Sequence, residues 1–156
     1  SNPEMRNYLT IRYISQALEK EWFKQLIPDT AGGAPGRLHF VIETREELQP
    51  IGVISLEGIN WRDRTAEVGI TVGDTDFWGR GYGTDAMRTL LDVGFHWFNL
   101  HRIFLRVIAD NERAVRSYEK CGFHHEGRLR QAVFINGGYK DMLIMGMLAE
   151  ELPPRS

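Results

Sequence analysis

Three glycines at every second position, Gly79, Gly81 and Gly83, lie within the stretch FWGRGYGTDAMRTLL (residues 77–91). An apolar helical pattern follows them at once, so the stretch predicts a glycine-rich loop that leads into a helix. The backbone N–H groups of such a loop and of the first helical turn have no partners within the helix, and the helix dipole favours negative charge there. Glycine lets an anion approach the main chain without meeting a Cβ, and Arg80 adds a cationic donor. The pattern indicates phosphate binding; a tight strand-to-helix turn without a ligand is the alternative.

The histidines and the cysteine do not form a recognisable metal or nucleophile site. His124 and His125 are adjacent in a predicted strand and therefore point to opposite faces, which is unsuitable for joint metal ligation. Cys121 is the single cysteine, so an intrachain disulfide is impossible, and it lacks a triad partner at a recognisable spacing. We interpret it as a small buried side chain, and no metal is predicted.

The elements that position these residues follow from hydrophobic periodicity. The segment Ala66–Val72 alternates strictly, with Ala66, Val68 and Ile70 on one face and Glu67 on the other. Strands are predicted at Leu38–Glu43, Ile51–Ile59, Ala66–Val72, Arg102–Ala109, Phe123–Leu129, Ala132–Ile135 and Lys140–Leu148, and helices at Ile14–Leu26, Met87–Phe98 and Glu112–Lys120. Helices inserted between strands predict an α/β domain with a mixed sheet, and the whole of residues 1–156 is expected to form one domain.

Composition and charge exclude several classes of function. The chain has 156 residues, a formal net charge of -2 and 42% hydrophobic residues, which is ordinary for a soluble globular domain. Neither a basic surface for nucleic acid nor an apolar run of about 18 residues for a membrane is present. One cysteine and no visible signal peptide predict a reducing, cytoplasmic location.

Two separate motifs resemble those of the GNAT acetyltransferase superfamily. WGRGYG (residues 78–83) is similar to the Q/R-x-x-G-x-G/A loop that holds the pyrophosphate of acetyl-CoA, with Trp78 at the Gln/Arg position. NERAVRSYEKCGF (residues 111–123) resembles the N-x-x-A-x-x-x-Y-x-x-x-G-F segment of the same superfamily. EVGITVGD and GRLRQAVFINGGYKDMLIMGML resemble, more narrowly, the RimJ/RimL branch of ribosomal-protein N-terminal acetyltransferases. The resemblance implies the GNAT fold, a mixed central sheet splayed between its middle strands with flanking helices.

The same resemblance implies roles for particular residues, with acetyl-CoA as co-substrate. Tyr118 corresponds to the proton donor to the CoA sulfur; packing against the sheet is its alternative role. Glu67 corresponds to a base or amine-orienting group, or else it is a solvent-facing glutamate paired with Arg62 or Arg64. The expected cofactor contacts come from a strand, from the glycine loop with the helix start that follows it, and from the start of a later helix. These residues are Ile70, Thr71, Val72, Gly79, Arg80, Gly81, Tyr82, Gly83, Thr84, Asn111 and Arg113. For Asn111, at the start of that later helix, the alternative role is that of N-cap.

The resemblance implies that a primary amine attacks the thioester directly, without a covalent enzyme intermediate, and the branch resemblance puts a protein N-terminal α-amino group first. A small amine, such as a polyamine or an aminoglycoside-like compound, is the alternative, and a polyamine would use carboxylates among Glu57, Asp63 and Glu67. A non-catalytic CoA-binding module is a further alternative. The resemblance also implies a homodimer, and it suggests that the family's first strand and first helix are missing from this sequence.

Overall fold

The computed structural model describes residues 9–13, 36–44, 47, 49–72 and 82–154 of the chain. The predicted helix at Ile14–Leu26 lies outside the described residues, and so do Gly79, Arg80 and Gly81 of the glycine loop. No helix among the described residues is long and apolar enough to span a membrane.

The described residues form a seven-stranded sheet in the order β1-β2-β3-β4-β5-β7-β6. Its strands are β1 Leu9–Tyr13, β2 Leu38–Thr44, β3 Pro50–Asn60, β4 Thr65–Val72, β5 Arg102–Ile108, β6 His124–Ile135 and β7 Gly138–Leu148. Helix α1 spans Tyr82–Asp92 and continues as a π-helical turn, Val93–Trp97, while α2 spans Glu112–Cys121. The predicted strands and helices within the described residues are present with ends that differ by up to five residues, except that two predicted strands near the end of the chain form one.

The structure differs from the sequence analysis at the start of the chain. Strand β1, Leu9–Tyr13, pairs antiparallel with β2 at the sheet edge, whereas the sequence predicts no strand before Leu38. Five residues give too short an alternation to be recognised beside a helical pattern that begins at Ile14. Strand β1 therefore covers the edge of β2. A missing first strand would instead leave that edge open.

The centre of the sheet opens between β4 and β5. These strands are parallel, whereas every other neighbouring pair is antiparallel, and they pair only from Thr65 opposite Arg102 to Glu67 opposite Phe104. Beyond Glu67, β4 continues to Val72 and β5 to Ile108 without pairing to each other. The expected splay between the middle strands is thus present, and it begins at Glu67.

The core lies on one face of the sheet. Strands β2 to β5 and β7 alternate buried apolar residues with more exposed ones, and the buried set packs with α1 and the π-helical turn. Gly94 in that turn lies so close to β5 that a Cβ there would be 2.7 Å from Ile103 Cδ1. The polar residues of β3, β4 and β5 therefore share the opposite face.

The last two strands form a long hairpin. The segments Phe123–Leu129 and Ala132–Ile135, predicted as separate strands, are one strand, β6, whose pairing with β7 is interrupted by irregularities after His125 and after Leu129. The turn at Asn136 and Gly137 has positive φ at both residues, 53° and 78°. This is the conformation that Asn-Gly favours in two-residue hairpin turns.

Candidate active site

The opening between β4 and β5 leaves one edge of β4 facing a cleft. Ile70, Thr71 and Val72 pair with β3 and, within the described residues, not with β5. Their backbone groups on the β5 side are placed to pair with an extended ligand that adds to the strand edge. The arrangement fits the prediction that these residues hold the amide-rich arm of acetyl-CoA.

Glu67 lies at the point where the strands part. Its side chain is on the face opposite the buried Ala66 and Val68, and it is 23% exposed. Arg106 binds it through both carboxylate oxygens, with Nε 2.6 Å from Oε2 and Nη2 3.1 Å from Oε1. The hydrogen bond to Glu67 raises the pKa of Arg106, so the guanidinium stays charged. The partner of Glu67 is therefore neither Arg62 nor Arg64; Arg64 points instead to the carbonyl of Asn99, at 3.5 Å.

A second carboxylate lies directly beside Glu67. Glu57 on β3 is opposite Glu67 in the antiparallel register, so both side chains are on the same face. Ser55 donates to Glu57 at 3.4 Å, and Arg37 lies 3.8 Å from it. Like charges in this arrangement repel each other, and each is offset by an arginine. Asp63, the third carboxylate considered from the sequence, is in the turn after β3, where it accepts a hydrogen bond from the side chain of Asn60.

The start of α1 is held against α2. Tyr82 and Gly83 are the first two residues of α1, so the glycine loop ends at a helix N-terminus, as predicted. The hydroxyl of Thr84 lies 2.9 Å from that of Ser117 on α2. Asp85 is in the first turn and is buried. The first turn of α1 is therefore fixed in position relative to α2.

Helix α2 carries the residues of the second motif. Asn111 is its N-cap and accepts a hydrogen bond through Oδ1 from the backbone N–H of Ala114, at 3.2 Å. Asn111 thus takes its alternative role as the N-cap through Oδ1. A contact with a cofactor would therefore use its Nδ2 group. Arg113 lies exposed in the first turn. At the other end, Gly122 adopts the left-handed conformation that glycine commonly takes where a helix ends, with φ of 105°.

Tyr118 is half-buried near the end of α2. It packs against the core and makes an edge-to-face contact with Phe123, with 6.1 Å between ring centroids. Burial raises the pKa of Tyr118, so the phenol keeps its proton throughout the neutral range. The packing role proposed for it is present, and the protonated hydroxyl also suits a donor.

We expect Tyr118→Phe to lower kcat for acetyl transfer by about 10- to 100-fold, because the departing thiolate loses a proton donor. The dissociation constant of acetyl-CoA should change little, since the ring and its packing against Phe123 remain. Steady-state kinetics with calorimetric titration separate the two quantities. Because its pKa is raised, Tyr118 should cause no alkaline loss of rate below pH ~10 in the parent protein. An undiminished kcat in the variant would remove Tyr118 from the mechanism.

The remaining polar candidates take structural roles. Cys121 is buried, and burial raises the pKa of its thiol to about 11, so it is a poor nucleophile. His124 lies 3.3 Å from Glu151, and His125 lies 3.1 Å from Glu119. The two histidines thus bind different carboxylates.

Arg106 was missed by sequence reasoning. The alternation of RIFLRVI (residues 102–108) places it on the same face as Phe104. That pattern does not reveal which residue of another strand lies across from it, because β4 and β5 are parallel and far apart in sequence.

Comparison with known proteins identifies the family. A family model described as "Acetyltransferase (GNAT) domain" matches residues 1–124. The spermidine N(1)-acetyltransferase of Vibrio cholerae serotype O1 is 38% identical over 117 residues, which are 75% of this chain and 66% of that protein. A putative ribosomal N-acetyltransferase of Bacillus subtilis is 31% identical over 100 residues, 64% of this chain and 54% of that protein. The chain thus spans less than two thirds of the length of either relative.

Solved structures agree with this assignment. The crystal structure of the Vibrio cholerae spermidine N-acetyltransferase in complex with CoA and spermine superposes with a TM-score of 0.78, at 28% identity, over 92% of this chain and 97% of that one. The GNAT fold expected from the two motifs is confirmed. The chain belongs to the GNAT acetyltransferase domain family.

Proposed function

We propose that this chain transfers the acetyl group of acetyl-CoA to a primary amine of a polyamine. The observation that carries the proposal is the pair of carboxylates, Glu57 and Glu67, side by side on one face where the sheet opens. The single domain expected over residues 1–156 is the unit to which we assign the activity.

The carboxylate pair suits an acceptor with more than one positive charge. An isolated pair of like charges on neighbouring strands destabilises a sheet, so each carboxylate requires a cation. In the free protein Arg37 and Arg106 supply that charge. The ammonium groups of a polyamine would bind the lone pairs that the arginines leave open on both carboxylates, whereas an N-terminal α-amino group offers a single charge and needs a single carboxylate.

The residues of the cleft fit the reaction. Acetyl-CoA supplies a thioester whose carbonyl carbon accepts the amine nitrogen, so that a C–N bond forms and the C–S bond breaks. Glu67 binds the ammonium group and takes its proton, directly or through water. Tyr118 donates a proton to the departing sulfur. The edge of β4 at Ile70–Val72 and the glycine loop before α1 hold the co-substrate in extended form.

This order of acceptors reverses the one drawn from the sequence. The branch resemblance put a protein N-terminal α-amino group first, but the spermidine acetyltransferase relative is more similar to this chain than the ribosomal relative is. Because a putative ribosomal N-acetyltransferase also matches this chain, an N-terminal α-amino group is the second candidate acceptor, and the RimJ/RimL branch is the second candidate branch. Association into a homodimer remains a prediction.

A panel of acceptors with a charge variant tests the proposal. We expect spermidine to be acetylated with a kcat/KM at least tenfold above that of a peptide with a free N-terminus. Glu57→Gln should raise KM for spermidine about tenfold, equivalent to ~1.4 kcal/mol, because one of two carboxylates is lost. It should change KM for a monoamine by less than about twofold. Release of the CoA thiol measures turnover in each case.

Asp63→Asn is the matched control, since it removes one carboxylate from the turn after β3 and not from the cleft. KM for spermidine should not change in this variant. Faster turnover of the peptide would favour the N-terminal acceptor and contradict the polyamine proposal. Saturable binding of acetyl-CoA with no turnover of any amine would favour a non-catalytic module.

A further inference from the structure

The ion pair of Arg106 and Glu67 spans the opening between β4 and β5. The last paired position of the two strands is Glu67 opposite Phe104, so Arg106 lies two residues beyond the point where β5 leaves β4. Its side chain nevertheless reaches back to Glu67 and makes two hydrogen bonds, of 2.6 and 3.1 Å. The two strands that line the cleft are thus joined on one face by this pair of side chains.

Stability does not account for the pair. The side chain of Arg106 is 54% exposed, and ion pairs at such sites contribute about 0–1 kcal/mol to folding. A long arginine side chain also loses conformational entropy when it is held in one geometry. The contribution of this ion pair to folding stability is therefore too small to explain a two-point contact at this position.

The two-point contact has a direct consequence for the carboxylate. An ionised carboxylate has about four lone-pair sites, and a fork-shaped guanidinium occupies one on each oxygen. The plane of the carboxylate is then fixed, and the remaining lone pairs point in set directions. A single-point cation such as lysine would leave the carboxylate free to rotate.

We propose that Arg106 is a positioning residue for acetyl transfer, which fixes the carboxylate of Glu67 so that its remaining lone pairs face the incoming amine. The inference rests on the proposed function, because it assigns Glu67 to the amine. In this assignment Arg106 acts through its two hydrogen bonds to Glu67.

A double-mutant cycle tests the inference. Arg106→Met should lower kcat for spermidine about tenfold and leave the dissociation constant of acetyl-CoA within twofold of its original value. Arg106→Lys should recover less than half of the lost kcat, because it restores the charge but not the two-point contact. In a Glu67→Gln background, Arg106→Met should change kcat by less than twofold, because the residue acts through Glu67.

Arg102→Met is the matched control. Arg102 is on the same strand and face, but it binds Glu126 and lies over the ring of Phe104. Its loss should leave kcat unchanged. An equal loss of kcat in the Glu67→Gln background, a full recovery with lysine, or a tenfold loss on replacing Arg102 would each overturn the inference.

A measurement independent of turnover separates this inference from the proposed function. The side-chain Nε–H resonance of Arg106, assigned by its absence in Arg106→Met, should shift clearly in Glu67→Gln. An unmoved resonance would show that the contact does not exist in solution and would overturn the inference. If the resonance shifts while no amine is acetylated, the contact stands, and it is the proposed function that fails together with the catalytic role built on it.

Discussion

Replacement of Glu67 by glutamine is expected to lower kcat for amine acetylation by at least about 100-fold. Glutamine has nearly the same shape and can still accept a hydrogen bond from Arg106, but it cannot take a proton or neutralise an ammonium group. The dissociation constant of acetyl-CoA should stay within twofold, because the β4 edge that faces the cleft is main chain. Thiol release at saturating acetyl-CoA measures the first quantity, and calorimetry measures the second.

Glu126→Gln is the control for this prediction. Glu126 is also bound by an arginine of β5, Arg102, and its carboxylate lies over Gly146, where an added Cβ would meet it. Like Glu67→Gln, Glu126→Gln therefore removes a strand carboxylate that is paired with an arginine of β5. Unlike Glu67, Glu126 does not lie where β4 and β5 part. Unchanged turnover in Glu67→Gln would assign Glu67 to structure alone.

The second large effect concerns the glycine loop. We expect Gly81→Val to raise the dissociation constant of acetyl-CoA by at least about 100-fold. Gly81 lies outside the described residues, so the expectation rests on the motif and on the start of α1 at Tyr82. A branched Cβ would keep a phosphate from the backbone N–H groups, and losing two charge-assisted hydrogen bonds of about 1.5 kcal/mol each gives this factor.

Gly127→Val on β6 is the matched substitution, because a Cβ at Gly127 would meet no atom within 4 Å. Both variants should unfold cooperatively at temperatures close to that of the parent, which shows that the fold is intact. Binding of acetyl-CoA by Gly81→Val with unchanged affinity would mean that the glycines only make a turn.

Most of the fold follows from local pattern. The strict alternation of Ala66–Val72 predicts β4, and Gly122 near the end of the second motif indicates where α2 ends, because both depend on residues that are neighbours in sequence. Strand β1 is not predicted, since its pairing with β2 involves residues about 30 positions away. That residues 124–135 form one strand, β6, with two irregularities is likewise decided by pairing with β7.

For the candidate site, motif spacing and periodicity identify the groups that are present: a carboxylate on the polar face of β4, a tyrosine and an N-cap asparagine on α2, and glycines before α1. They do so because both are local properties of the sequence. The folded chain alone reveals where β4 and β5 part, that Glu57 lies opposite Glu67, and that Arg106 binds Glu67 across the opening. Those relations depend on strand register, which long-range packing sets and which alternation alone does not encode.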